Sequence, residues 1–320
     1  MTGPILVTGA NGFAGSHLLD QLRGGDAPLV AWSGPGREPG PEHRAGDIGW
    51  TAVDLRDGAA VEAALAGARP ARIVHLGGIA HVAESWRQTT LTLDVNVLGT
   101  HHLLRAARRL RLDARIVIPG SALVYRPSAD ALTEDHPIRP ATPYGLTKLA
   151  QELVGLAGHA DDGLAVIVAR PFNHIGPRQD AGFVVSSFAR QIARAEAGLA
   201  EPVIHVGNLD ARRDVTDVRD TVRAYRVLAD RGEPGRVYNV CRGSAPSIRE
   251  LLDRLVARAR VAVEVTVDPE RLRPSDNTVV LGDHGRIRRE LGWEPAVPLD
   301  QSLEDVLDDW RAAIAGGTAP

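Results

Sequence analysis

Thr8-Gly9-Ala10-Asn11-Gly12-Phe13-Ala14-Gly15 is the stretch that decides the fold. It follows an apolar run, Pro4–Thr8, that reads as a strand, and it opens Gly12–Leu22, whose apolar residues share one helical face. A strand, a glycine turn and a helix in that order suit a dinucleotide pyrophosphate. Gly9, Gly12 and Gly15 let the backbone turn tightly, and the helix N-terminus presents its positive end to the phosphates. The G-x-x-G-x-x-G spacing is one residue longer than the usual dinucleotide fingerprint. The alternative is an ordinary glycine-rich turn, and the strand and helix on either side argue against it.

Outward from the turn, the pattern repeats. Pro28–Trp32, Thr51–Val53, Arg72–Leu76, Ala114–Pro119 and Leu164–Ala169 read as further buried strands. Ala59–Ala66, Leu91–Leu110 and Pro143–Ala157 read as helices between them. Alternation of this kind predicts an α/β fold, a Rossmann-type doubly wound parallel sheet covered on both faces. Beyond Pro171 the rhythm changes. Helices are expected over Phe183–Leu199, Thr216–Ala229, Ser247–Arg260 and Asp300–Ala313, with strands at Val203–Val206 and Val237–Val240. The expected organisation is a dinucleotide-binding domain over 1–171, with a later returning segment at about 208–242, and a smaller C-terminal α/β substrate lobe within 172–320.

Composition narrows the function. The 320 residues carry 37 Lys+Arg against 40 Asp+Glu, a formal net charge of −3. That balance excludes a strongly basic nucleic-acid binder and leaves no polybasic membrane patch. One cysteine, Cys241, allows no intrachain disulfide. No apolar run reaches the roughly 18 residues of a membrane helix, and Met1–Val7 has no basic signal-peptide region, so the expected location is cytoplasmic. No metal-ligand spacing stands out.

Among the 37 basic residues, Lys148 is the sole lysine. It falls in Tyr144-Gly145-Leu146-Thr147-Lys148, and i, i+4 spacing on a helix puts its ammonium on the face of Tyr144. An ammonium beside a phenol favours the phenolate, so the pair is a candidate for proton transfer near neutral pH. Ser121, just after the strand Ala114–Pro119, is positioned to hold a substrate oxygen. The second strand ends Ala31-Trp32-Ser33-Gly34 without the acid that usually holds an NAD ribose, and Arg37 follows. Ser33 and Arg37 suit a 2′-phosphate, so NADP(H) is favoured over NAD(H). Asp54 has two readings, a cap on the adenine amino group or a helix N-cap. His81 lies either near the sugar or in packing; His101 and His102 read as surface or interface residues.

At these residues the chain resembles the extended short-chain dehydrogenase/reductases of the nucleotide-sugar branch. The glycine turn, Asp54, His75-Leu76-Gly77-Gly78, Asn96-Val97-Leu98-Gly99-Thr100, Ser121, Tyr144 and Lys148 fall in that family's order. The second lobe is similar to the GDP-mannose 4,6-dehydratase and GDP-6-deoxy-4-keto-mannose reductase group. The stretches that carry this are Arg170–Pro177, Val206–Asp220, Val237–Cys241 and Leu272–Asp276. The resemblance implies a cofactor site of Gly9, Asn11, Gly12, Phe13, Ala14, Gly15, Ser33, Arg37, Asp54, Leu55, Leu76, Gly77, Gly78, Asn96, Tyr144, Lys148, Pro171 and His174. It implies a nucleotide-diphosphate sugar, GDP favoured, held by His81, Ser121, Asn173, Asn208, Arg213, Arg273 and Asp276. The two arginines suit phosphate oxygens as fork donors. It also implies a homodimer formed by a four-helix bundle of Leu91–Leu110 and Pro143–Ala157.

The same resemblance separates the reactions. The dehydratases carry a glutamate two residues after the catalytic Ser/Thr; here that residue is Leu123, which cannot move a proton. Ser121, Tyr144 and Lys148 suffice for one hydride and one proton, as in reduction of GDP-4-keto-6-deoxy-D-mannose to GDP-D-rhamnose. A nucleotide-sugar 4-epimerase is the alternative, a dehydratase a weaker one, and a non-catalytic NADP-binding sensor a third class.

Overall fold

Ile5–Thr8 forms β1, buried along its whole length in a seven-stranded sheet. The computed structural model describes residues 3–43, 46–271 and 278–317. The chain continues through α1 (Phe13–Leu22), β2 (Leu29–Ser33), β3 (Ile48–Ala52), α2 (Gly58–Ala68) and β4 (Arg72–His75). Two short helices follow, α3 (Val82–Arg87) and α4 (Thr89–Leu93). Next come α5 (Gly99–Arg109), β5 (Arg115–Pro119), α6 (Pro143–Asp162) and β6 (Ala165–Pro171). The remaining elements are β7 (Asn173–Ile175), α7 (Val184–Glu196), β8 (Val203–Val206), β9 (Arg212–Arg213), β10 (Val215–Asp217), α8 (Val218–Arg231) and β11 (Val237–Val240). The chain closes with α9 (Ile248–Val256), β12 (Glu264–Val267), β13 (Val279–Val280), α10 (Gly285–Leu291) and α11 (Leu299–Ala315).

The sheet order is β11-β6-β5-β4-β1-β2-β3, and every pairing is parallel. Strands covered on both faces must be apolar throughout, which is why β1 and β5 read as unbroken runs; the strand expected to be buried at Thr51–Val53 is instead β3, Ile48–Ala52, at the sheet edge and without a buried residue. One face packs Leu18, Leu19 and Leu22 of α1 with Val222, Tyr225 and Leu228 of α8. The other packs Val61 and Leu65 of α2 with Leu103, Leu104 and Ala107 of α5. A second core, Phe188 and Ile192 with Leu251, Leu255, Leu303 and Leu307, builds the smaller lobe from α7, α9 and α11. The chain leaves the sheet at β6 and returns through α8 and β11; α10 packs on those two elements as well, with Ile287 in the first core.

Local chemistry sets the helix ends. Asp57 accepts from Ala59 and Ala60 N–H to start α2. Thr142 caps Gly145, Pro143 stands in the first turn, and Gly163 at φ +69° ends α6. Three sequence expectations shift. The single helix over 91–110 is α4 and α5 joined by one π-helical turn, Asp94–Leu98. Thr216 belongs to β10, because Val215–Asp217 pairs with Asn173–Ile175, and the following helix starts at Val218. The helix expected to reach Arg260 ends at Val256. Among the described residues no helix is long and apolar enough to cross a membrane, and no group of three or more His, Cys, Asp or Glu could hold a metal ion.

Candidate active site

The carboxyl ends of β1, β2, β4, β5 and β6 share one edge, and the order reverses between β1 and β4. A crevice at that switch point is where open parallel sheets bind ligands. The glycine turn lies there. Gly9 adopts φ +63°, and a Cβ on it would meet Gly77 N and the Leu76 carbonyl at 2.7 Å. A Cβ on Gly15 would sit 2.3 Å from the Gly9 carbonyl oxygen. Thr8 Oγ1 accepts the Gly77 N–H at 2.9 Å and bonds His75 Nδ1 at 2.8 Å. Gly9 to Gly15 and Leu76 to Gly78 thus form one cradle whose walls are backbone. Gly12 heads α1 without a side-chain cap, which leaves the first amides to an anion. The described residues fit a dinucleotide pyrophosphate.

Other expected cofactor residues fall on the same edge with different commitments. Ser33 is buried at the end of β2, and Arg37 is exposed on the turn after it. Asp54 does not cap α2; Asp57 does. Instead Asp54 forks onto Arg56 at 2.6 to 3.2 Å, and that hydrogen bonding holds its carboxyl below the usual range. Leu55 packs over Gly77 and Gly99, and its carbonyl bonds His102 Nδ1 at 2.8 Å, so His102 is tied within the chain. Asn96 lies in the π-helical turn, buried. Its amide accepts from Ile79 N and donates to Ile79 O and Thr147 Oγ1. It therefore locks the β4–α3 loop to α6. π turns are frequent at functional sites because they re-aim a side chain. Pro171 ends β6; His174, on β7, stacks on Phe13 of the glycine turn with centroids 5.7 Å apart.

Ser121, Tyr144 and Lys148 come together at the end of β5 and the start of α6. Ser121 is buried, and its Oγ accepts the Leu123 N–H at 3.1 Å. Its hydroxyl also interacts with the Tyr144 hydroxyl and favours the phenolate, but burial dominates and pushes Tyr144 up to about 12. Burial takes Lys148 down to about 8, opposed by Glu152. Lys148 Nζ donates to Gln151 Oε1 at 2.6 Å. The ammonium of Lys148 does not bring the phenol toward neutrality: burial sets Tyr144, and what opposes it is the Ser121 hydroxyl. Burial, with help from Lys148, holds His75 at about 3, and its ring bridges Thr8 and Thr100 as a neutral group.

The substrate candidates are more dispersed. His81 packs on Phe183 at 4.6 Å and lies 3.8 Å from Asp180, beside a cleft of about 550 Å³ between α3 and the start of α7. Asn173 is exposed on β7, and Asn208 Oδ1 accepts the Asp210 N–H. Arg213 donates to the Arg212 and Thr278 carbonyls, and burial lowers its pKa. Arg273 and Asp276 lie outside the described residues. Sequence reading gave no role to Ser85 or Glu152, and none to Arg170 beyond its place at the head of the Arg170–Pro177 stretch. Ser85 Oγ accepts the Tyr144 backbone N–H, and Arg170 forks onto Glu152 beneath Ser121. Helical spacing offered a signal for Glu152, four residues after Lys148 and eight after Tyr144.

A glycine cradle at the switch point of a parallel sheet, with serine, tyrosine and lysine at its edge, defines an extended short-chain dehydrogenase/reductase. The chain belongs to the GDP-mannose 4,6 dehydratase family, whose model matches residues 6–306. It is 37% identical to GDP-6-deoxy-D-mannose reductase of Pseudomonas aeruginosa, over 98% of this chain and 99% of the relative. It is 32% identical to dTDP-glucose 4,6-dehydratase of Streptomyces griseus, over the full length of both. The solved structure of the Pseudomonas aeruginosa protein RMD complexed with NADPH superposes with a TM-score of 0.86 at 36% identity, covering 97% of this chain and 99% of that one.

Proposed function

We propose that this protein is an NADPH-dependent 4-ketoreductase of nucleotide-linked 4-keto-6-deoxy sugars, converting GDP-4-keto-6-deoxy-D-mannose to GDP-D-rhamnose. The observation that carries the reading is the Ser121–Tyr144–Lys148 edge with Leu123 beside it. These groups can deliver one proton to one oxygen and have no second acid/base for dehydration. End-to-end identity to a GDP-6-deoxy-D-mannose reductase supports it.

The cofactor, when bound, supplies hydride to C4 of the sugar. The glycine turn and the Leu76–Gly78 loop hold its pyrophosphate, and Ser33 and Arg37 take its 2′-phosphate. Ser121 orients the 4-keto oxygen, and Tyr144 gives its proton to that oxygen as negative charge develops there. Lys148 binds the nicotinamide ribose. Arg213 and Asn173 hold the nucleotide diphosphate, and His81 faces the sugar. A 4-epimerase remains the second reading, since it needs the same three groups.

The enzyme works in the cytoplasm as a homodimer. Leu146 and Leu153, seven residues apart on α6, and Leu93 and Leu98 beside them expose apolar surface that a second copy covers. Sedimentation showing monomer alone overturns that part. The reaction is tested by NADPH oxidation on adding GDP-4-keto-6-deoxy-D-mannose, with NADH in parallel. Stoichiometric NADPH loss is expected; sugar interconversion without net loss would make the protein an epimerase. Tyr144→Phe abolishes turnover while NADPH still binds; retained turnover overturns the assignment of Tyr144.

A further inference from the structure

Beneath the catalytic edge sits a buried ion pair. Glu152, on α6, is 1% exposed and accepts from Arg170 Nε at 3.0 Å and Nη2 at 2.8 Å. Arg170 is the residue before Pro171 on β6. Its guanidinium also lies 4.8 Å from the Tyr125 ring centroid and donates to the Glu134 carbonyl. The carboxylate is pressed against the end of β5: a Cβ on Gly120 would lie 1.9 Å from Glu152 Oε1. The Ser121 backbone N–H faces the same carboxylate. A buried pair is weak ground for net stability, since desolvation offsets most of the attraction. Its placement is informative, because one carboxylate gathers α6, the end of β5 and the end of β6 within one residue of Ser121 and one helical turn of Lys148.

We propose that Glu152, clamped by Arg170, is a positioning residue: it sets the Ser121 backbone against α6 and provides the negative charge that keeps the Lys148 ammonium in place. This rests on the roles given above to Ser121 and Lys148. Lys148 shares a helical face with Tyr144 and is faced by Glu152 on its own helix, by His75 of β4, and through Glu152 by Arg170 of β6; Tyr125 and Glu134 face the arginine. His75 is neutral above about pH 3. Burial raises the Glu152 carboxyl, and Arg170, Lys148 and the Ser121 N–H oppose that shift; Glu152 is the acidic group beside the ammonium, and its charge opposes the burial that drives Lys148 down to about 8. Removing that charge makes Lys148 lose its proton at lower pH.

The test compares wild type, Glu152→Gln, Glu152→Ala and the double variant Glu152→Gln/Arg170→Met, which leaves no buried charge unpaired if a single variant fails to fold. Glu152→Ala is expected to lower kcat by about 10- to 100-fold with KM changed less than about threefold, as a displaced catalytic group does. Glu152→Gln, which still offers an oxygen to Ser121 and Arg170, is expected to recover much of kcat. All variants should show the alkaline fall of NADPH affinity, followed by fluorescence titration, displaced to lower pH. Folded variants with wild-type kcat and an unmoved alkaline limb overturn the proposal. If wild type binds NADPH but reduces no keto sugar, the functional reading fails, and the alkaline limb alone then decides the role of Glu152.

Discussion

Ser85 Oγ accepts the backbone N–H of Tyr144 at 3.1 Å, while its own proton goes to the Val82 carbonyl at 2.6 Å. The first turn of α6 is thereby accounted for: Pro143 has no N–H, Tyr144 is held by Ser85, and Gly145 by Thr142. The short helix α3, at the cleft wall, fixes the residue proposed to give the proton.

Ser85→Ala leaves a part-buried donor without its partner. It should cost about 1 to 2 kcal/mol in urea unfolding, the range of a lost helix cap. It should also lower kcat several-fold, with NADPH binding retained. Unfolding and kcat both equal to wild type would mean that Tyr144 needs no anchor at this end.

Arg37 stands exposed on the turn closed by its N–H to the Gly34 carbonyl, one turn beyond Ser33. A lost charge-assisted contact to a 2′-phosphate is worth about 1.5 to 3 kcal/mol, or roughly 10- to 100-fold in affinity. Arg37→Ala should raise the NADPH Kd by that factor and leave the NADH Kd unchanged. Equal weakening of both would place Arg37 away from the 2′-position.

Arg213 is held at β9 by the carbonyls of Arg212 and Thr278 and is the arginine of the smaller lobe proposed to meet the nucleotide diphosphate. Arg213→Ala should raise KM for the nucleotide sugar by about 10-fold or more, with kcat changed far less. A loss in kcat at unchanged KM would place Arg213 in the chemistry instead of the binding.

His75 has the sharpest pH consequence. Its folded pKa, about 3, lies below the ordinary 6.5 because the ring is buried and Lys148 is near. Between these values the unfolded chain binds a proton that the native protein refuses. Stability from this group is therefore full above about pH 6.5 and falls as pH drops toward 3, by up to about 1.4 kcal/mol per pH unit. Urea unfolding of His75→Gln between pH 6.5 and 4 should show a shallower slope than wild type. Parallel slopes would show that His75 does not govern acid unfolding.

The linear pattern of Thr8–Gly15 and of the apolar runs that follow was enough to anticipate the parallel sheet, because covered strands must be apolar along their whole length. Tyr144 and Lys148 were legible because i, i+4 spacing is itself geometry. The π turn around Asn96 was not, since helical periodicity barely changes across it. Nor was the tie of Asp54 to Arg56. Asp54 and Asp57 are equally good caps on paper, and only backbone placement chose between them.

The sequence by itself determined the dinucleotide turn, the layered α/β architecture and which side chains are proposed to react, because these depend on local backbone freedom and short-range period. Tertiary structure alone decided which groups face one another across 18 to 67 residues: Glu152 with Arg170, Thr8 with His75, Ser85 with Tyr144. It also decided the protonation balance at the site. Desolvation depends on what is packed around a group, and at Tyr144 it outweighs the Ser121 hydrogen bond and raises the phenol instead of lowering it as the spacing to Lys148 had suggested.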